Sequence, residues 1–239
     1  MPVTLTLADM AAIERALSTP RFGRYLAEKG GNHAGALALY DWNARVSAAL
    51  MHPLHIFEVA LRNGVAAAVE AEYGPGWHLD PFFIGSLPQP KGPHYKPRED
   101  LRASTDRVKR ELLRLLPAHS TKPVRVPAGK VMAELKFMFW VSLLTARHDG
   151  KIWGAHLRAG FPGAPAAGPG GVLPRRRLHD EAEAVRDIRN RIAHHEPIFM
   201  RDLGAEYARI LRVVRWRCRR TALWLHGSQS VAALLQQRP

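Results

Sequence analysis

Apolar residues recur along this chain at spacings of three and four rather than two, and β-branched clusters bounded by turn pairs are scarce. The pattern predicts an all-α protein. Leu7, Met10, Ile13 and Leu17 form one stripe, and Pro20 predicts the stop of that first short helix. A second periodic run spans about 34–51, ahead of Pro53, where a break is expected. Leu54–Tyr73 carries Ile56, Phe57, Ala60, Leu61 and Val65 on an apolar side, and Gly74-Pro75-Gly76 closes it.

From Gly74 to Pro97 the chain holds six prolines and four glycines, which predicts a long surface loop. Helix resumes near Arg98, with Glu99 and Asp100 in a first turn whose dipole favours anions, and runs to Leu116 before Pro117. Leu101, Val108, Leu112 and Leu115 are its inward positions. Arg107, Arg110 and Arg114 share a stripe that suits either a solvated face or an RNA backbone. Pro117, Pro123 and Pro127 mark a second loop over 117–128, followed by a helix from about Lys130 to Arg147 whose Phe137, Phe139 and Trp140 read as core. Residues 160–174 form a third Pro/Gly-rich loop, read as an excursion within one helical domain spanning 1–239. The last third predicts a helix from about Arg175 to His195, a break at Pro197, and a strongly basic helix over about 202–225.

Charge adds a partner class. The 35 Lys and Arg outnumber 21 Asp and Glu, giving a formal net charge of +14 that attracts polyanions such as RNA. Composition alone does not decide, because basic chains also arise without touching nucleic acid. Cys218 is the single cysteine, which excludes an internal disulfide and a multi-thiolate zinc site and suits a reducing cytoplasm. The N-terminus lacks the basic start and apolar run of a signal peptide, and no apolar stretch approaches the ~18 residues of a membrane span.

The candidate chemistry lies at the end of the helix preceding Pro197. Val185, Ile188, Ile192 and His195 define an inward stripe; on the neighbouring face Arg186, Asn190 and His194 stand four apart, with Arg189 flanking them. An arginine supplies fixed charge and paired donors for phosphate oxygens, and a histidine moves protons near neutral pH. RNA brings its own nucleophile in the 2′-OH, so proton transfer and charge stabilisation are enough for cleavage, without metal or cofactor. Taken locally, a capped helix end with structural polar contacts explains the same residues more simply. A metal centre built on His194, His195 and Glu196 is disfavoured, since adjacent side chains diverge and no HExxH spacing occurs. Glu58, Arg62 and Asn63 form a second polar cluster in which Glu58 and Arg62 are spaced to pair, either as a structural ion pair or as an arm of an active cleft. On the basic terminal helix, Arg212 and Arg215 could follow an RNA backbone while Trp216 stacks a base; a core role for Trp216 is the commoner alternative.

The ten residues RNRIAHHEPI, Arg189 to Ile198, resemble the signature of Abi-family proteins within the HEPN superfamily, an arginine, a polar residue, then a histidine four to six positions after the arginine. Arg189, Asn190 and His194 fit; His195 also satisfies the spacing. Companion blocks resemble the same family in its order: LYDWNARVSAAL (Leu39 to Leu50), HIFEVALRN (His55 to Asn63), KFMFWVSLL (Lys136 to Leu144), and Trp153 ahead of Phe161-Pro162. The likeness covers roughly Arg21 to Trp224, with 85–97 and the tail fitting least. It implies a HEPN-like helical bundle, metal-independent RNase chemistry centred on Arg189, Asn190 and His194 with His195 and Glu196 in support, and a role in abortive phage defence or toxin–antitoxin systems. It further implies a homodimer whose two motifs face one cleft, and an antitoxin or other defence partner. The alternative within the same family is a non-catalytic module that binds RNA or protein.

Overall fold

The computed structural model describes residues 5–117, 123–166 and 174–239. Among these residues it is all-α, with twelve α-helices, two 3-10 turns, one π turn and no strand. Parts of two expected loops, 118–122 and 167–173, lie outside the described residues.

Helix α1 (Leu7–Leu17) is closed at its start by a Thr6–Asp9 capping box and ends at Ser18. Pro20 does not end it. It stands in the first turn of α2 (Thr19–Glu28), where a missing N–H and a fixed φ are tolerated, and α2 buries Phe22 and Tyr25.

Helix α3 runs unbroken from His33 to Tyr73, so the predicted stop at Pro53 does not occur. An interior proline costs roughly 3 kcal/mol. Val46, Leu50, Leu54, Phe57 and Leu61 are all buried on either side of it, so packing offsets that cost. Gly74 at φ +76° ends the helix as expected. This 41-residue spine packs against α2 and, among the elements below, α7, α8, α9, α10 and α12.

The segment 74–97 is a surface loop only over its later part, about 88–96. Trp77, Phe83 and Leu87 are buried, Trp77–Leu79 forms a 3-10 turn, and α4 (Pro81–Ser86) starts on an Asp80 cap whose Oδ1 accepts from Phe83 N at 2.7 Å. Prolines set the turns, but large apolar side chains between them pull the segment inward. Helix α5 (Pro97–Arg114) buries Leu101 and Val108, whereas Leu115 lies past its end and is exposed, against expectation.

The helix expected over 130–147 is two helices, α6 (Ala128–Glu134) and α7 (Phe137–Leu143). Leu135 and Lys136 between them are extended, and Lys136 N donates to Asp100 Oδ2 of α5 at 3.2 Å. A tertiary bond replaces the helical one there. A 3-10 turn and a π turn then lead into α8 (Gly154–Gly160). Gly160 is needed at the crossing with α3, since a Cβ there would lie 2.2 Å from the Gly64 carbonyl oxygen.

Helix α9 (Pro174–Ala193) buries Leu178, Ala182, Val185, Ile188 and Ile192. Its start is held by Arg175, which grips Asp149 through two bonds of 2.8 and 2.9 Å and donates to the Leu144 carbonyl. The basic terminal helix divides at Cys218, which is extended, into α10 (Leu203–Arg217) and α11 (Arg219–Ser228); α12 (Val231–Leu235) follows. No helix among the described residues is long and apolar enough to cross a membrane.

Candidate functional site

The end of α9 is a Schellman-type cap. Glu196 N donates to the Arg191 carbonyl at 2.8 Å and His195 N to the Ile192 carbonyl at 3.0 Å, with His195 at φ +55° in the left-handed position usually taken by glycine. The turn expels His195 from the inward stripe on which periodicity placed it. His194, His195 and Glu196 are all exposed. The chain beyond the turn is tied down by Asn43 of α3, whose Oδ1 accepts from Ile198 N at 2.9 Å and Phe199 N at 3.0 Å. Asn43 is only 6% exposed. Sequence reasoning passed over it, although a polar residue beside the buried Leu39, Trp42, Val46 and Leu50 was the available signal.

Arg189 points across to α3. Its Nε donates to Glu58 Oε1 at 3.1 Å and its Nη1 to Asn190 Oδ1 at 3.3 Å, leaving Nη2 without a hydrogen bond among the described residues. The guanidinium is thus held at Nε and Nη1, with Nη2 left to donate. One expectation changes here. Glu58 pairs with Arg189 rather than with Arg62, and the Asn190 side chain accepts from Arg189. Asn190 and His194 are joined through the backbone, His194 N to the Asn190 carbonyl at 3.0 Å. Arg62, one turn beyond Glu58, makes no ion pair among the described residues, and its buried Nε has no partner. Asn63 turns away to a separate groove with His55, Arg217 and Thr221. Glu196 receives Arg191 Nη1 at 3.2 Å.

The other candidate arginines divide by what holds them. Arg107 pairs with Glu134; Arg186 pairs with Glu183 at 2.6 Å; Arg212 pairs with the buried Glu181, which also receives Arg209 at 3.0 Å. Arg201 and Arg209 likewise meet the buried Glu206. Much of the basic charge of α10 therefore neutralises carboxylates inside the fold. Arg110, Arg114 and Arg215 are exposed and make no ion pair among the described residues. Trp216 is buried, with Arg177 stacked 5.8 Å from its ring centroid, so it offers no face to a base.

Beside His195 and Glu196 opens a cavity of about 450 Å³, walled by α2, α3 and the end of α9. Arg21, Tyr25 and Tyr40 line it, none of them singled out from the sequence. Among the described residues no three His, Cys, Asp or Glu side chains gather where a metal ion could be held.

The model of the Abi-like protein family matches residues 15–200, from α1 through the whole of α9 and its cap. The chain belongs to the Abi-like family. The match takes in Glu58, Arg189, Asn190 and His194, and its relation to abortive infection, the defence that sacrifices an infected cell, follows from membership. No curated protein and no solved structure matches the chain.

Proposed function

We propose that this Abi-like chain is a metal-independent endoribonuclease of a phage-defence or toxin–antitoxin system, one HEPN-like helical domain acting in the cytoplasm as a homodimer. The observation that carries the reading is the Arg189 guanidinium, held on its Nε edge by Glu58 and open at Nη2, on the same helix end as His194. An arginine fixed in this way is preorganised for the non-bridging oxygens of a phosphodiester, and its charge opposes the charge that develops there in the transition state. His194 takes the proton of the ribose 2′-OH as that oxygen attacks phosphorus. The P–O5′ bond breaks, leaving a 2′,3′-cyclic phosphate, and the 5′-oxygen is protonated by the matching histidine of a second subunit facing the same cleft. Asn190 steadies Arg189, and His195 shapes the turn. Arg110, Arg114 and Arg215 supply free positive charge for the RNA backbone.

Induced expression tests this reading in cells. Wild type is expected to halt growth with fragmentation of cellular RNA, and Arg189→Ala and His194→Ala are expected to be harmless. Equal toxicity of all three, or no RNA fragmentation by wild type, would move the chain to the non-catalytic binding class.

A further inference from the structure

The cavity beside His195 has an unusual donor set. Asn43 contributes to it while its Oδ1 is occupied by the Ile198 and Phe199 amides. Those two N–H groups fix which end of the amide is oxygen, so Nδ2 is the end left over. That nitrogen donates to no atom among the described residues and belongs to a side chain more than nine-tenths buried. An amide NH₂ left free on a residue that lines the cavity can donate to what occupies it. Tyr25 and Tyr40 stand with ring centroids 4.9 Å apart, and neither hydroxyl makes a hydrogen bond among the described residues. Ser47 Oγ donates to the Asn43 carbonyl at 2.7 Å, so it faces the cavity as an acceptor. Flat aromatic edges, one fixed donor and about 450 Å³ of space match a small planar heterocycle. Next to it, Arg21 and Arg24 line a second cavity that shares Glu196 with the first. Both arginines are exposed and make no ion pair among the described residues, so they suit the phosphates of a strand leaving the pocket.

We propose that this cavity is a subsite for a nucleobase of the bound RNA strand, and that Asn43 makes it favour bases with a ring carbonyl, such as guanine and uracil, over adenine, which has none. That the strand is a substrate rests on the ribonuclease reading, whereas the base preference stands on Asn43 alone. The cavity opens beside His195, next in sequence to His194, so a base seated there holds its strand against the helix end that carries the proposed site. A carbonyl oxygen accepts from Asn43 Nδ2; where guanine and uracil carry that oxygen adenine carries a donor amino group, so adenine can accept only through a ring nitrogen, at N1 and N7 crowded by that amino group.

Two variants separate recognition from folding. Ala48→Phe places a ring in the cavity from an exposed position on α3, away from Arg189 and His194. Asn43→Asp keeps an oxygen on the Ile198 and Phe199 amides and turns the free donor into an acceptor. The full chain is titrated with the 3′-monophosphates of guanosine, uridine and adenosine, and end-labelled single-stranded RNA is mapped in parallel for cut positions. Wild type is expected to bind guanosine and uridine nucleotides about five- to tenfold more tightly than adenosine, as one hydrogen bond allows. Ala48→Phe is expected to erase the difference, and Asn43→Asp, whose acceptor meets N–H groups present on all three bases, to lose the preference of uridine over adenosine. Indiscriminate binding by wild type, or discrimination that survives Ala48→Phe, overturns the inference. Discrimination without any cleavage supports the base pocket while contradicting the ribonuclease reading; cleavage that needs Arg189 but ignores the flanking base does the opposite.

Discussion

Arg189 and Glu58, 131 positions apart in sequence, meet at 3.1 Å between Nε and Oε1, and this bond, with that of Nη1 to Asn190, leaves Nη2 free. The two side chains are 42% and 33% exposed, so the pair contributes little to stability in water. Its role is orientation. Glu58→Gln keeps an acceptor and is expected to retain most of the cleavage rate, whereas Glu58→Lys should displace Arg189 and lower kcat by about ten- to a hundredfold with little change in melting temperature. Steady-state cleavage and thermal melts on the two variants check this; equal rates for wild type and Glu58→Lys would remove Glu58 from the site.

His195 is held at φ +55°, a conformation costly to a residue with a Cβ. His195→Gly is expected to raise stability by about 0.5–1 kcal/mol in denaturant melts. The same change removes an imidazole from the mouth of the cavity and should weaken RNA binding. A stabilised variant with unchanged RNA affinity would make His195 a turn residue and nothing more.

The legible part of the fold follows local rules. Gly74 ends α3 as its permissive backbone predicts, and Val185, Ile188 and Ile192 occupy the inward stripe of α9. What stayed hidden is set by distant partners. Pro53 is carried through a helix because its neighbours are buried, and the α6–α7 break is set by Asp100 on another helix. Cys218, extended between α10 and α11, has no proline or glycine beside it to announce the break. The candidate site divides the same way. Arg189, Asn190 and His194 could be proposed from the sequence because they are close in it; Asn43, Tyr25 and Tyr40 reach the cavity only through packing of α2 and α3 on the α9 cap.

At the α3–α8 crossing the Gly160 backbone passes too near the Gly64 carbonyl oxygen for any side chain. Gly160→Ala must push the helices apart and is expected to cost about 3 kcal/mol, read as a lower midpoint in urea. Gly85→Ala, where an added Cβ meets nothing, is the control and should shift the midpoint little.

Acid sensitivity is centred on His148, which is 3% exposed and has a buried Nε2 with no partner. Burial, helped by the Arg147 charge and opposed by Asp149, pushes its pKa down to about 4. The unfolded chain binds this proton more readily than the folded one, so the stabilisation is fully present above about pH 6.5 and is lost as pH falls toward 4, up to about 3 kcal/mol. His78, lowered by burial and partly restored by its bond to the Val126 carbonyl, acts in the same direction. Urea melts from pH 7 to pH 4 should show the decline, and His148→Gln should flatten it; an unchanged slope would place the acid response elsewhere.

The central claim is most directly tested by a single-turnover assay of purified chain on single-stranded RNA in excess EDTA, comparing wild type with Arg189→Ala and the combined His194→Ala/His195→Ala variant. Cleavage by wild type to 2′,3′-cyclic phosphate ends in the presence of the chelator, with both variants inactive yet folded, is the predicted result. Cleavage that stops on chelation, or that persists in the double histidine variant, would contradict it.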